Sequence, residues 1–260
     1  MKKYSDMASI LQNLSISSDS TLNDLESLRI DKDGDVEVYY SPFDYITPTA
    51  KIVLVGITPG KTQLLNALLS LEKCFKQGCT PAEALIVTKK EGAFSGRLRE
   101  NLVELLNCIG IHKKLNITNS SSLFGEDSHL IHTTSVLRQP VFIKGKDYSG
   151  STPDMLKHPL LQKQIELYLK EEIRQLPDAI YIPLGSKVAK VFEIFIQQGL
   201  LNENQVLSGL PHPSGANAGR ISYFLGNTSK EAIPPNSTTK PEILDKAKQE
   251  ILKKLTTLAI

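Results

Sequence analysis

Val53-Leu54-Val55-Gly56-Ile57-Thr58-Pro59-Gly60-Lys61-Thr62-Gln63 is the stretch that decides the fold. Residues 51–55 are mostly apolar and include branched side chains, which is typical of a strand buried on both faces of a parallel sheet. A Gly/Pro turn follows, and residues 63–76 predict a long helix. A buried strand that turns sharply into a helix indicates an α/β protein, in which ligands bind at the carboxyl ends of strands.

Further strands follow the same plan. Residues 129–136 and 179–184 predict core strands, and residues 205–207 predict a short fourth strand. Residues 137–159 read as a long polar loop. The alternation of strands and helices predicts a three-layer α/β/α sandwich with a mostly parallel central sheet.

The chain divides into three predicted regions. Residues 1–35 read as an N-terminal helical extension, and residues 36–227 as the α/β domain. Residues 228–260 combine a linker, rich in Pro, Ser, Thr and Asn, with a C-terminal helix that begins at Pro241. An apolar stripe predicts that this helix packs on the domain. The stripe consists of Ile243, Leu244, Ala247, Ile251, Leu252 and Leu255.

Composition excludes several classes of protein. The 260 residues are 40% hydrophobic and carry a net charge of +2, so they predict a folded core without strong non-specific attraction to nucleic acid. Cys74, Cys79 and Cys108 are too few for a disulfide framework or for the four thiolates of an iron–sulfur cluster. The sequence shows no signal peptide and no membrane span, so we expect a cytoplasmic protein. We also expect a monomer that needs neither a metal nor a cofactor.

The Gly56–Thr62 segment also resembles a phosphate-binding loop. That motif needs four residues between its first glycine and the glycine before its lysine, whereas three lie between Gly56 and Gly60. The cradle of backbone N–H groups would be one residue short, so the sequence does not favour a nucleotide triphosphatase.

A second motif, Leu210-Pro211-His212-Pro213-Ser214-Gly215-Ala216-Asn217, lies far downstream of the first. Between them come Phe94, in Ala93-Phe94-Ser95-Gly96-Arg97, and the strand end Thr133-Thr134-Ser135-Val136. In this order, the four elements resemble the motifs of the uracil-DNA glycosylase superfamily. The resemblance covers about residues 36–225. It implies an enzyme that flips a nucleotide out of double-stranded DNA and hydrolyses the bond between base and sugar.

The resemblance implies a role for each motif. Thr58 would orient the attacking water and His212 would stabilise the leaving base, which makes these the two expected catalytic residues. Phe94 would stack on the flipped base, and Thr134 would help to read its edge. The expected substrate-binding residues are Gly56, Ile57, Pro59, Gly60, Phe94, Thr134 and Ser135. The expected DNA-binding residues are Lys61, Arg138, Ser214, Gly215, Ala216, Asn217 and Arg220.

Three departures from the family pattern leave the substrate open. Many members have Asp or Asn where Thr58 stands, an iron–sulfur branch has Glu where Ile57 stands, and uracil-specific members have Asn near the position of Thr134. A modified pyrimidine, such as the glucosylated hydroxymethylcytosine excised by an anti-phage branch, is the favoured substrate. The long segments 64–93 and 138–159 fit a larger pocket. A uracil or mismatch repair enzyme and a catalytically inactive reader of damaged bases are the alternatives.

The weak basicity of a threonine hydroxyl raises the question of which group activates the water. Asp44, Asp147 and Asp154 can each supply a carboxylate from a loop. The sequence does not distinguish among them.

Overall fold

The computed structural model describes residues 2–258, which group into two compact units that interleave along the chain. The first unit contains the residues up to Ile46, Ile57–Ser95 and Thr133–Gln175. The second contains Thr47–Gly56, Gly96–His132 and the residues from Leu176 onward.

Groups of strands and groups of helices follow one another along the chain. The strands are β1 (Arg29–Asp33), β2 (Val36–Tyr39), β3 (Ile52–Gly56), β4 (Ile131–Ser135), β5 (Val141–Ile143), β6 (Lys146–Asp147) and β7 (Ile180–Pro183). The helices are α1 (Tyr4–Asn13), α2 (Lys61–Lys76), α3 (Pro81–Gly92), α4 (Arg97–Cys108), α5 (Ile111–Lys114), α6 (Pro159–Gln164), α7 (Lys170–Gln175), α8 (Ser186–Gln197), α9 (Ala218–Leu225) and α10 (Pro241–Thr257). A π-helical segment, Ile165–Leu169, joins α6 to α7.

The first unit is built around a four-stranded sheet and the pair α2 and α3. The sheet order is β1-β2-β5-β6, and all of its pairings are antiparallel. Helix α3 begins with a capping box in which Thr80 and Glu83 satisfy each other's backbone N–H groups. Apolar side chains from α1, α2, β2 and β5 form one buried cluster. It contains Met7, Leu11, Leu25, Leu28, Tyr39, Tyr40, Leu64, Leu65, Leu68, Leu71, Cys74, Ala84 and Phe142.

The second unit contains the sheet predicted from the opening stretch. Its strand order is β4-β3-β7, and β3 pairs in parallel with β7 in a register that places Ile52 opposite Ile180. Every residue of β3 is buried, as the apolar run predicts. Strand β4 starts in this unit and runs on into the first. Because β3 and β7 both lead directly into turns, their carboxyl ends position the loops that follow.

Helix α10 packs on α9 and on the chain before the second motif. Leu244, Ile251 and Leu255 are buried, but Ile243 is 68% exposed and Leu252 is 41% exposed. The predicted apolar stripe is therefore only partly used for packing.

Four predictions of secondary structure were wrong or incomplete. The mostly parallel sheet is confirmed only for β3 and β7, since the larger sheet is antiparallel. Residues 137–159 contain β5 and β6 within the predicted loop. Residues 205–207 form only an isolated bridge from Val206 to Tyr181. The predicted N-terminal helical extension, residues 1–35, ends in a single 3₁₀ turn at Glu26–Leu28 followed by β1, so the predicted boundary at residue 35 falls inside a hairpin.

Gly209 tests the packing of α10. Its φ is +122°, and a β-carbon built on it would lie 2.5 Å from Cβ of Ala247. We expect Gly209→Ala to lower the free energy of unfolding by about 2–3 kcal/mol, because backbone strain adds to an overlap between two packed segments. Urea unfolding measures the change.

Gly215→Ala is the matched control, since a β-carbon there meets no atom within 4 Å. Equal midpoints for the two variants would show that α10 does not pack against Gly209.

Candidate functional site

The turn after β3 is held by the chain that follows β4. The backbone N–H of Leu137 donates to the carbonyl oxygen of Ile57 at 3.0 Å. A β-carbon on Gly150 would lie 3.1 Å from Cγ2 of Ile57, so this glycine lets the segment 138–159 approach the turn closely. The segment therefore packs against the first motif.

Thr58 makes two hydrogen bonds to that same segment. Its hydroxyl donates to the carbonyl oxygen of Gln139 at 3.2 Å and accepts from the N–H of Val141 at 3.2 Å. A hydroxyl has one proton and two lone pairs, so only one lone pair is left. Thr58 in this geometry can accept a hydrogen bond from water but cannot donate one.

Residues from three of the predicted motifs line one small cavity in the first unit. Its volume is about 20 Å³, which is enough for about one water molecule. The lining residues are Phe43, Pro59, Gln63, Lys89, Ala93, Phe94, Thr133, Thr134, Ser135 and Arg138. The structure thus brings Pro59, Phe94, Thr134 and Ser135 together, as the motif order predicts.

Phe94 is held in an unusual backbone conformation. Its φ is +50°, in the left-handed region, and its side chain is 6% exposed. Such a conformation costs about 1 kcal/mol or more for a residue with a β-carbon. The next residue, Ser95, is fixed by a hydrogen bond from Asn66 of α2 at 3.1 Å. The aromatic ring is therefore placed in the cavity wall at the cost of backbone strain.

Thr134 presents an unpaired hydroxyl at the same cavity. The residue is 7% exposed, and its Oγ1 has no hydrogen-bond partner within residues 2–258. Leaving a buried hydroxyl unpaired costs about 1–3 kcal/mol. This group is available to a ligand that enters the cavity.

Arg138 does not occupy the exposed position that a phosphate contact from a polar loop requires. It is 4% exposed, its guanidinium lies 3.4 Å from both Asp44 and Glu172, and it stacks on the ring of Tyr168 at 4.3 Å. The sequence did not indicate that the segment after β4 is buried within the first unit. Arg138 forms part of the cavity wall.

Lys89 is a second buried cation in this wall, and the sequence analysis missed it. Its ammonium donates to the carbonyl oxygens of Phe43 at 3.2 Å and Tyr45 at 2.7 Å. Burial lowers the pKa of Lys89 to about 8. The only sequence signal is a lysine among the apolar positions of α3.

The second motif is fixed around a half-buried histidine. A β-carbon on Gly185, whose φ is +88°, would lie 3.0 Å from Cβ of His212. The N–H of Ser214 donates to Nδ1 of His212 at 3.3 Å, and Asn101 donates to the carbonyl oxygen of Pro213 at 2.7 Å. Because Nδ1 accepts a hydrogen bond, the neutral ring carries its proton on Nε2. Burial lowers the pKa of His212 to about 4, so the neutral form prevails at physiological pH.

The residues after His212 form a connected polar segment. Asn217 donates to the hydroxyl of Ser214 at 3.0 Å and accepts from Arg220 at 2.7 Å. Arg220 also donates to the carbonyl oxygen of Thr238 at 3.3 Å. Gly215 and Ala216 are exposed at the tip. The segment is therefore ordered by its own side chains and leaves its tip accessible.

The predicted site residues divide between the two units. Ile57, Thr58, Pro59, Gly60, Lys61, Phe94, Thr134, Ser135 and Arg138 belong to the first unit. Gly56, His212, Ser214, Gly215, Ala216, Asn217 and Arg220 belong to the second.

Comparison with known sequences identifies the family. Residues 43–233 match the family described as "Uracil DNA glycosylase superfamily", and this span is more than half of the 260 residues. The chain belongs to the uracil DNA glycosylase superfamily. Membership in this superfamily confirms the family resemblance and the α/β fold that the sequence predicted.

Two proteins similar to this chain extend the comparison. "Uncharacterized protein YoxB" of Bacillus subtilis (strain 168) is 35% identical over 204 residues, which cover 78% of this chain and 80% of that protein. The crystal structure of wild-type Pedobacter heparinus SMUG2 aligns with 87% of this chain and 95% of its own at 12% identity and a TM-score of 0.42. The family assignment rests on the sequence match.

In residues 2–258 there is no group of three or more His, Cys, Asp or Glu side chains placed to hold a metal ion. No helix in that part of the chain is long and apolar enough to cross a membrane.

The lowered pKa of His212 makes stability depend on pH. Above pH 6.5 the ring is neutral in both the folded and the unfolded state, and it contributes no pH dependence. Between pH 6.5 and about 4 only the unfolded state takes up the proton, so the folded state loses stability as the pH falls. From pH 7 to pH 5 we expect a loss of about 1–2 kcal/mol from this group, measured by urea unfolding. His212→Gln should lose less over the same interval, and an unchanged difference would contradict the assignment.

The unpaired hydroxyl of Thr134 makes a second prediction. Thr134→Val keeps the shape of the side chain and removes a buried polar group, so the variant should be as stable as the wild type or more stable by about 1 kcal/mol. Thr88→Val is the matched control, since Thr88 is buried with an unpaired hydroxyl but does not line the cavity. A loss of more than about 1 kcal/mol in Thr134→Val alone would mean that its hydroxyl has a partner in the folded protein.

Proposed function

We propose that this protein is a monofunctional DNA glycosylase that flips a pyrimidine nucleotide out of duplex DNA and hydrolyses its N-glycosidic bond to leave an abasic site. The observation that carries the proposal is that Pro59, Phe94, Thr134 and Ser135 line one and the same cavity. Its lining contains what a flipped base needs, a flat aromatic face and polar groups at its edge. Membership in the uracil DNA glycosylase superfamily supports the same activity.

In this proposal Phe94 stacks on the base. The hydroxyl of Thr134, which has no partner within residues 2–258 of the free protein, forms a hydrogen bond with a donor or an acceptor on the base edge. An unpaired group that is paired only when substrate binds contributes its full hydrogen bond to recognition. Ser135, buried beside it, is the second polar group of the strand end.

His212 stabilises the leaving base. The glycosidic electron pair moves onto the base as the bond breaks, and negative charge collects on a carbonyl oxygen. A neutral imidazole with its proton on Nε2 is a donor for that oxygen, and its fixed orientation lowers the reorganisation needed in the transition state. Two groups after His212 contact the DNA backbone in this proposal. Hydrogen-bond donors come from Ser214 and Asn217, and a small, exposed tip comes from Gly215 and Ala216.

The size of the cavity bears on which pyrimidine is excised. Residues 64–93 form most of α2 and α3, and these two helices pack against each other. The segment therefore supports the cavity wall and does not enlarge the pocket. A space of about 20 Å³ must widen even for a plain base, and a glucosylated base needs a much larger displacement. We therefore favour uracil or a pyrimidine with a small substituent. Glucosylated hydroxymethylcytosine, and with it a role in defence against phage, is the competing substrate.

A non-catalytic reader of damaged bases is the second candidate function. The hydrogen bonds of Thr58 favour it, because a hydroxyl occupied by two backbone groups is a poor activator of water. Such a protein would bind the flipped base without cleaving the bond.

An excision assay distinguishes these functions. Labelled duplexes carry uracil, thymine opposite guanine, hydroxymethyluracil, hydroxymethylcytosine or glucosylated hydroxymethylcytosine, and alkali reveals abasic sites. We expect abasic sites from uracil or hydroxymethyluracil. His212→Ala should slow excision about 100- to 1,000-fold by removing a transition-state donor. His129→Ala, at an exposed histidine, should match the wild type.

Product from the glucosylated base alone would replace the small-base proposal with the defence role. Binding to every duplex without any product would establish the reader. Cleavage of the strand without alkali would contradict the monofunctional mechanism.

A further inference from the structure

We infer that Asp147 is the general base that activates the attacking water, in place of a carboxylate or amide within the first motif. The inference rests on the proposed glycosylase reaction and assigns the group that Thr58 cannot supply. Its basis is the position of one loop carboxylate against the turn between β3 and α2.

Hydrolysis at the sugar carbon needs a group that accepts a proton from water. The hydroxyl of Thr58 donates its one hydrogen bond to the carbonyl oxygen of Gln139 and accepts from the N–H of Val141. A threonine hydroxyl is also not basic at neutral pH. Thr58 is therefore a structural residue that fastens the turn to β5. The base must come from elsewhere.

Three loop carboxylates were candidates in the sequence, and the structure distinguishes them. Asp44 is half-buried, accepts from the hydroxyl of Tyr40 and lies 3.4 Å from Arg138, and desolvation raises its pKa. It serves as a partner of the buried guanidinium. Asp154 accepts from the N–H of Leu156 at 3.0 Å within its own loop. Within residues 2–258, neither of these carboxylates forms a hydrogen bond or an ion pair with the first motif.

Asp147 lies directly on the first motif. Its Oδ1 accepts from the N–H of Lys61 at 2.9 Å, where α2 begins. A β-carbon built on Gly60 would lie 2.8 Å from Oδ2 of Asp147 and 3.2 Å from its Cγ. The residue is exposed, so its carboxylate is accessible to water.

The glycine at position 60 is explained by this carboxylate. Gly60 has φ −84° and ψ 176°, a conformation open to every residue, so the backbone itself does not require glycine. Any side chain at position 60 would overlap the carboxylate of Asp147, and this overlap is the reason that glycine is needed there. The second glycine of the motif therefore admits a carboxylate that strand β6 brings from far along the chain.

The proposed step is balanced. Asp147 takes a proton from water while the water oxygen bonds to C1′ of the deoxyribose, and the C1′–N bond breaks with its electron pair leaving on the base. The base anion, stabilised by His212, takes a proton from solvent, and Asp147 returns its proton to solvent. No oxidant, metal or covalent intermediate is involved.

Single-turnover excision of the base identified by the duplex assay tests the inference. Asp147→Asn retains an oxygen that can accept from Lys61 N–H, so the start of α2 is preserved while basicity is lost. We expect a rate at least about 100-fold lower with unchanged DNA binding and unchanged thermal unfolding. Asp154→Asn, the same substitution at a carboxylate that also accepts one backbone N–H, should match the wild type. Formate should restore part of the activity of Asp147→Ala.

Gly60→Ala provides an independent check, since its β-carbon should push the carboxylate away and slow excision. The double variant Gly60→Ala/Asp147→Asn should be no slower than Asp147→Asn, because both changes remove the same function. An Asp147→Asn rate within threefold of the wild type would overturn the inference, leave the glycosylase proposal intact, and reduce Asp147 to a cap for α2. A wild type that excises no base would overturn both.

Discussion

The site depends on one constraint, the hydrogen bonds that hold the turn after β3 against the segment after β4. Thr58 joins the two segments through two hydrogen bonds, and Ile57 joins them through a third. The turn thereby receives a fixed shape, Pro59 enters the cavity wall, and α2 begins where Asp147 can reach its first N–H. A residue whose hydroxyl is used in this way stabilises the site and does not carry out its chemistry.

The cavity wall contains an unusual concentration of buried charge. Arg138 and Lys89 lie among Asp44 and Glu172, and removing such groups from water is costly unless they are paired. Opposite charges and backbone carbonyl oxygens offset that cost here. The arrangement fixes the wall rigidly around Phe94 and Thr134, which fits a site that selects its ligand by shape and by a few hydrogen bonds.

The elements that local pattern determines were predicted well. The apolar run of β3, the helical periodicity of α2 and the Pro241 start of α10 all carry their signal within a few residues. Strands β5 and β6 carry little, because they are only three and two residues long. They are specified by pairing, β5 with β2 and β6 with β5. The apolar stripe of α10 was overestimated for the same reason, since only packing decides which of its side chains are covered.

The sequence by itself determined the family, the buried parallel strands and the order of the four motifs, because these depend on residue types and their spacing. Only the tertiary structure decided the state of each side chain. It assigned the Thr58 hydroxyl to the backbone, buried Arg138 and Lys89 in the cavity wall, and placed Asp147 against Gly60. The physical reason is that a hydrogen bond or an ion pair joins residues far apart in the chain, and sequence spacing does not contain that distance.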